Sequence, residues 1–164
     1  MRSLFSFPRT VNEKAARVVA GVVLAASVLT LATAWYWLLV PLAYGFLARV
    51  FTGPTLSPIG LLASRYIAPR LGSEKPVPGP PKRFAQGMGA VMTSAAAILA
   101  LAAGRHALAD GLLVALVIAA GLESIFAYCL GCKVFALLMR AGLVPDTVCA
   151  ECSDIWRSAS ASRS

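Results

Sequence analysis

The chain has 164 residues, of which 59% are hydrophobic and only 13% charged, with a net charge of +8 and a mean hydropathy of +0.76. Soluble domains are about 25% charged, so too few polar side chains remain here to cover a water-facing surface, and a soluble globular enzyme is excluded. A basic balance in a polar chain points to nucleic acid. In a chain this apolar it marks the flanks of membrane spans, so the expected partner is the lipid bilayer and not nucleic acid. The length allows one domain, assigned to 1–157, followed by a disordered Ser/Ala/Arg tail at 158–164.

The first apolar block runs from Val18 to Val50. As one helix it would be about 50 Å long, against a hydrocarbon core of about 30 Å. The sequence therefore predicts a helical hairpin over 15–52, with spans at 15–33 and 36–52. Trp35, Tyr36 and Trp37 fall at the bend, where an aromatic belt places them, and Pro41 falls in the first turns of the second span, where proline is tolerated. A signal peptide is the rival reading: basic Arg2 to Arg17, apolar Val18 to Leu31, then Ala32-Thr33-Ala34 as a cleavage site. The long leading segment, its Glu13, and a mature chain that would begin at Trp35 inside another apolar stretch all speak against it.

Gly53-Pro54 and Ser57-Pro58 break the pattern, and Ile59 to Ile67 reads as a short amphipathic helix lying in the interface. Lys75 to Lys82, with prolines at 76, 78, 80 and 81, reads as a stiff extended linker. A third span is predicted over 84–103, rich in small residues (Gly87, Gly89, Ala90 and Ala95 to Ala97) that let helices approach closely in lipid. A fourth is predicted over 108–128, with Gly111 and Gly121 as contact points. Lys133 to Arg140 continues as a short amphipathic helix that stops at Gly142. The expected fold is all-α: an integral membrane four-helix bundle with an interfacial helix and a short cytoplasmic Cys-rich segment at 129–152.

With four spans, the N-terminus, the 53–83 loop and the C-terminus share one side. Fourteen of the 15 Lys and Arg residues fall there, and only Arg105 falls on the other. The excess of basic residues places that side, and both termini, in the cytoplasm.

Cys129, Cys132, Cys149 and Cys152 all lie on this side, as C-x-x-C, sixteen intervening residues, and C-x-x-C. This spacing suits paired knuckles holding one zinc ion in a four-thiolate site, with Gly131 permitting the first turn and Pro145-Asp146 starting a short helix for the second. Two other chemistries use the same residues: a dithiol–disulfide couple, favoured near a helix N-terminus or a basic side chain such as Lys133, and an iron–sulfur cluster. Stable structural disulfides are disfavoured in a reducing compartment. Glu123 lies within the fourth span, where a carboxylate is costly and marks a candidate proton relay or a partner for Arg83, Gln86 or Ser124. Gln86 reads as interhelical glue, and His106 as a surface residue. No phosphate-binding loop, nucleophile elbow or helical H-E-x-x-H is present.

Ser57-Pro58-Ile59-Gly60, Pro81-Lys82-Arg83-Phe84-Ala85-Gln86 and Tyr128-Cys129-Leu130-Gly131-Cys132, in this order after an apolar hairpin, resemble a bacterial family of small four-span membrane proteins catalogued as domain of unknown function 4395. The resemblance covers residues 8–155, and its most specific element is the C-L-G-C turn. It implies a four-helix protein of the bacterial inner membrane, associated with thioredoxin-like and sulfurtransferase proteins, but supplies no reaction.

Three functions are therefore expected to compete. One is thiol redox or sulfur metabolism, with Cys129 and Cys132 as an exchanging pair and Glu123 as a proton relay. The second is a membrane scaffold folded by one zinc ion on all four cysteines. The third is a small-solute permease with Glu123 in its pathway, which four spans would form as a homo-oligomer.

Overall fold

The computed structural model describes residues 10–53, 56–72 and 76–145. Asp146, Cys149, Cys152 and the tail at 158–164 lie outside the described residues.

Helix α1 (Glu13–Thr33) is capped by Asn12, whose side-chain oxygen accepts the Lys14 N–H at 3.0 Å, and Glu13 in its first turn suits the helix dipole. It stops where Ala34 takes the left-handed conformation, φ 53°. A 3₁₀ turn at Tyr36–Leu38 leads into α2 (Leu39–Thr52), which ends at Gly53 with φ 66°. Pro41 falls in the first turn of α2, where its missing N–H has no helical acceptor to lose. The predicted hairpin and its bend are thus present.

Ser57 starts α3 (Pro58–Leu62), its Oγ accepting the Gly60 N–H at 3.2 Å. The helix continues through a π turn (Ala63–Ile67) and a 3₁₀ turn (Ala68–Leu71). The proline segment departs from the expected linker. Pro76–Pro78 (β2) is extended, but it pairs antiparallel with Thr10–Asn12 (β1), Val77 opposite Val11. Pro80 and Pro81 belong to the first turn of α4 (Gly79–Ala97), where proline's fixed φ is already helical. The third long helix therefore starts at Gly79 and not at 84, and it runs on as a π turn over Ile98–Ala102. After α5 (His106–Phe126) comes α6 (Leu130–Arg140), which begins three residues ahead of the expected start and ends before Gly142, φ 73°.

In the bundle, α1 packs along α5, α2 along α4, and α4 against α5. One end carries the bends at 34–35 and 103–105. There the Tyr36 hydroxyl donates to Asp110 at 2.9 Å, and the Tyr36 ring stacks on exposed His106 with centroids 4.7 Å apart. The other end gathers β1, β2, α3, α6 and nearly all the basic side chains of the described residues. There Arg17 donates to the carbonyls of Ser124 and Ile125, both at 3.1 Å, and Arg83 donates to the Val50 carbonyl at 2.9 Å. Each arginine closes the C-terminus of a neighbouring helix, whose last carbonyls lack helical donors.

Small residues govern the close contacts. A Cβ at Gly89 would lie 2.3 Å from the Phe46 ring, so α2 and α4 touch only because that position is glycine. Ala96, Ala100 and Ala109 sit buried with Leu39 and Leu113 between α4, α5 and the bend. Gly111 differs from expectation: nothing lies within 4 Å of where its Cβ would be, so it is no contact point.

Three helices, Glu13–Thr33, Gly79–Ala102 and His106–Phe126, are long and apolar enough to cross a membrane, and Tyr36–Thr52 is a shorter apolar helix. In the three long ones only 33%, 28% and 22% of the apolar window is buried within the chain. Most of their apolar surface faces outward, which marks the chain as a membrane protein.

Candidate thiol site

The site is built where α5 turns into α6. Ala127 ends α5 in the left-handed conformation at φ 56°, and the Tyr128 N–H returns to the Leu122 carbonyl at 3.1 Å. The chain then straightens at Cys129, φ −88° and ψ 106°, which is the N-cap of α6. Cys132 follows in the first turn. Gly131 has a different role from the one expected of it. It is helical, and a Cβ there would lie 2.5 Å from the Ala85 Cβ, so its lack of a side chain lets the head of α6 rest on α4. Phe135 anchors the same face, buried against Phe84 with ring centroids 5.7 Å apart.

Cys129 is 8% exposed and Cys132 is partly buried, and both are free thiols. The Cys132 thiol donates a hydrogen bond to the Cys129 sulfur. This holds Cys129 below the usual thiol range, against burial and the Glu123 carboxylate, with the Lys82 ammonium adding to the lowering. The same hydrogen bond pushes Cys132 up, because losing its proton would break it. The shared hydrogen bond thus makes Cys129 the more acidic thiol of the pair and Cys132 the less acidic.

Glu123 finds a partner other than the three expected. Its Oε1 pairs with the Lys82 ammonium, the two side chains only 15% and 9% exposed. Two of the expected partners are engaged elsewhere: Arg83 with Val50 and Gln86 with Arg49. Gln86 does bridge helices, accepting at Oε1 from Arg49 Nε at 2.8 Å. Arg49 also donates to Ser57 Oγ at 3.2 Å, and its guanidinium lies 4.7 Å from the centroid of the Phe46 ring.

In the sequence, Lys82 and Arg49 read only as two of the basic residues that set topology. Arg49 was findable, being a charge set inside an apolar block. Lys82 was hidden by the misplaced start of α4.

Two cavities meet at Cys129. One, of about 370 Å³, lies at the basic end between Glu13, Pro78, Lys82, Tyr128, Cys132 and Lys133. The other, of about 250 Å³, runs into the bundle between α1, α4 and α5 and is mainly apolar. Among the described residues, no three His, Cys, Asp or Glu side chains converge to hold a metal ion.

Residues 11–140 match the family described as Domain of unknown function (DUF4395). The chain belongs to this family. The matched region takes in Cys129, Cys132, Glu123, Lys82 and Arg49 but ends before Cys149 and Cys152, short of the expected limit at 155. No curated protein and no solved structure matches the chain.

Proposed function

We propose that this DUF4395 member is a thiol-redox protein of the bacterial inner membrane, in which Cys129 and Cys132 cycle between dithiol and disulfide with a thioredoxin-like or sulfurtransferase partner. The observation that carries this reading is the pair of free thiols at the head of α6, Cys129 at its N-cap and Cys132 in its first turn, both lining a cavity that a partner's sulfur can enter. The local charges support it. Arg49 and Lys82 bring two positive charges and Glu123 one negative to a buried cluster, and a Cys129 thiolate balances the remainder. Glu123 positions Lys82 beside the thiolate and serves as the nearest proton carrier.

In this reading α1, Tyr36–Thr52, α4 and α5 all span the bilayer, and the basic end with both termini is cytoplasmic. Arg105 is the one basic side chain at the opposite end among the described residues, in keeping with the positive-inside rule.

The test is to purify the chain in mild detergent and measure zinc, iron and free thiols together, then titrate against dithiol–disulfide buffers. The expected result is no stoichiometric metal and a reversible two-electron transition that Cys129→Ser abolishes. One zinc per chain with four protected thiols would replace this reading with a zinc-folded scaffold on Cys129, Cys132, Cys149 and Cys152. Proteoliposome transport lost in Glu123→Gln would replace it with a permease. A membrane-impermeant thiol reagent that labels Cys149 from outside intact cells would reverse the orientation.

A further inference from the structure

A dithiol cycle needs a second partner to close it, and the inner cavity has the chemistry of one. Its walls carry Phe46, Met88 and Met92, an aromatic ring and two polarizable thioethers, side chains that favour a flat aromatic or quinonoid guest. Its lining also takes in Cys129, Glu123 and Gln86, whose Oε1 is held by Arg49. Its volume of about 250 Å³ exceeds the roughly 150 Å³ in which an engineered apolar cavity of another protein binds benzene. At its rim Met88 is 36% exposed and Ala115 is exposed, both in the middle of long apolar helices, so the entrance lies on the surface that faces lipid.

We propose that this cavity binds the ring of a membrane-dissolved quinone, which accepts electrons from the Cys129–Cys132 pair; the proposal rests on the dithiol reading above. In the step, the Cys129 thiolate and the Cys132 thiol together lose one proton and two electrons and one S–S bond forms. The quinone takes up both electrons, that proton and a second proton from water, and leaves as the hydroquinone. Cys129 lines both cavities, so one residue serves both a lipid-side oxidant and a water-side dithiol. A lipid acyl chain would fit the same walls, but it accepts no electrons.

The test uses the full chain, reduced and kept anaerobic in detergent, with decylubiquinone as the probe and dithiodipyridine as a water-side oxidant. The expected result is one quinone reduced for every two thiols lost, with Cys129→Ser inactive. Ala115→Trp at the rim and Ala119→Phe on the wall are each expected to lower the ratio of quinone rate to dithiodipyridine rate by about tenfold or more. Using the ratio cancels any general loss of folded protein. If dithiodipyridine oxidises the pair reversibly while the quinone is not reduced, or if both substitutions leave the ratio unchanged, the quinone site is overturned and the dithiol reading stands. If neither oxidant converts the pair to a disulfide, the dithiol reading itself fails and takes the quinone site with it.

Discussion

Gly131 lies so close to Ala85 that a Cβ at position 131 would sit 2.5 Å from the Ala85 Cβ and 2.6 Å from its Cα. The neighbour is largely helix backbone and cannot swing aside, so a side chain at 131 must lift the head of α6 from α4. Gly131→Ala is therefore expected to destabilise the protein by about 1–3 kcal/mol, the usual cost of overpacking, and to separate the two thiols from Lys82. Gly111→Ala is the control, since its Cβ meets nothing within 4 Å, and it should be neutral or stabilising by up to about 1 kcal/mol. Thermal unfolding in detergent, followed by circular dichroism, checks both.

Lys82 and Glu123 form a pair of opposite charges with little water around either. Removing one partner leaves the other buried and uncompensated, which costs about 3–5 kcal/mol. Glu123→Gln and Lys82→Met should each approach that loss. The double variant should be much less destabilised than the sum, because neither charge then remains. Additive losses in a double-mutant cycle would show that the pair contributes nothing as a pair.

The helical hairpin, the breaks at Gly53 and Ser57, and the amphipathic helix ending at Gly142 were all legible in the sequence, because apolar length and helix-stop residues act locally. Two other features were not, because their meaning depends on contacts distant in sequence. Pro76 to Pro81 reads as linker by composition, yet half of it pairs with Thr10–Asn12 and the rest opens α4. Gly131 reads as a turn residue between two cysteines, yet its role is set by Ala85, across on another helix. The candidate site was half legible for the same reason. The C-x-x-C spacing is visible along the chain, but the pairing of Glu123 with Lys82 joins residues 41 apart in sequence, and Lys82 gains its meaning only once α4 starts at Gly79.

Reactivity of Cys129 should depend on Cys132 in a direction fixed by their hydrogen bond. Iodoacetamide attacks the thiolate. With Cys129 held below the usual thiol range, its alkylation should stay fast at pH values where an ordinary thiol, with a pKa of about 8.5, has slowed. It should fall only as pH drops through the lowered pKa. Cys132→Ala removes the donor but leaves burial and the Glu123 carboxylate, both of which raise the pKa. The profile should therefore move to higher pH, while Cys132→Ser, which keeps a hydroxyl donor, should move it less. Alkylation of Cys129 followed by mass spectrometry across pH reads this directly; a profile unmoved by Cys132→Ala would show that the hydrogen bond does not set the thiolate.

Arg49 joins three elements with one planar group. Its Nε donates to Gln86 on α4, its NH1 donates to Ser57 at the head of α3, and its guanidinium lies over Phe46 on its own helix. An ammonium at the same position has neither the fork nor the flat face. Arg49→Lys is expected to lose at least one charge-assisted hydrogen bond, about 1.5–3 kcal/mol. Ser57→Ala should cost about 1–2 kcal/mol, because the same hydroxyl oxygen accepts from Arg49 and caps α3 through the Gly60 N–H. Each substitution breaks the contact that joins the two residues, so the double variant should be less destabilised than the sum of the singles by about 0.5–1.5 kcal/mol, the share counted twice. Thermal unfolding of the four proteins measures the coupling. A value near zero would mean that α3 is held by its cap alone and that Arg49 serves α4 only.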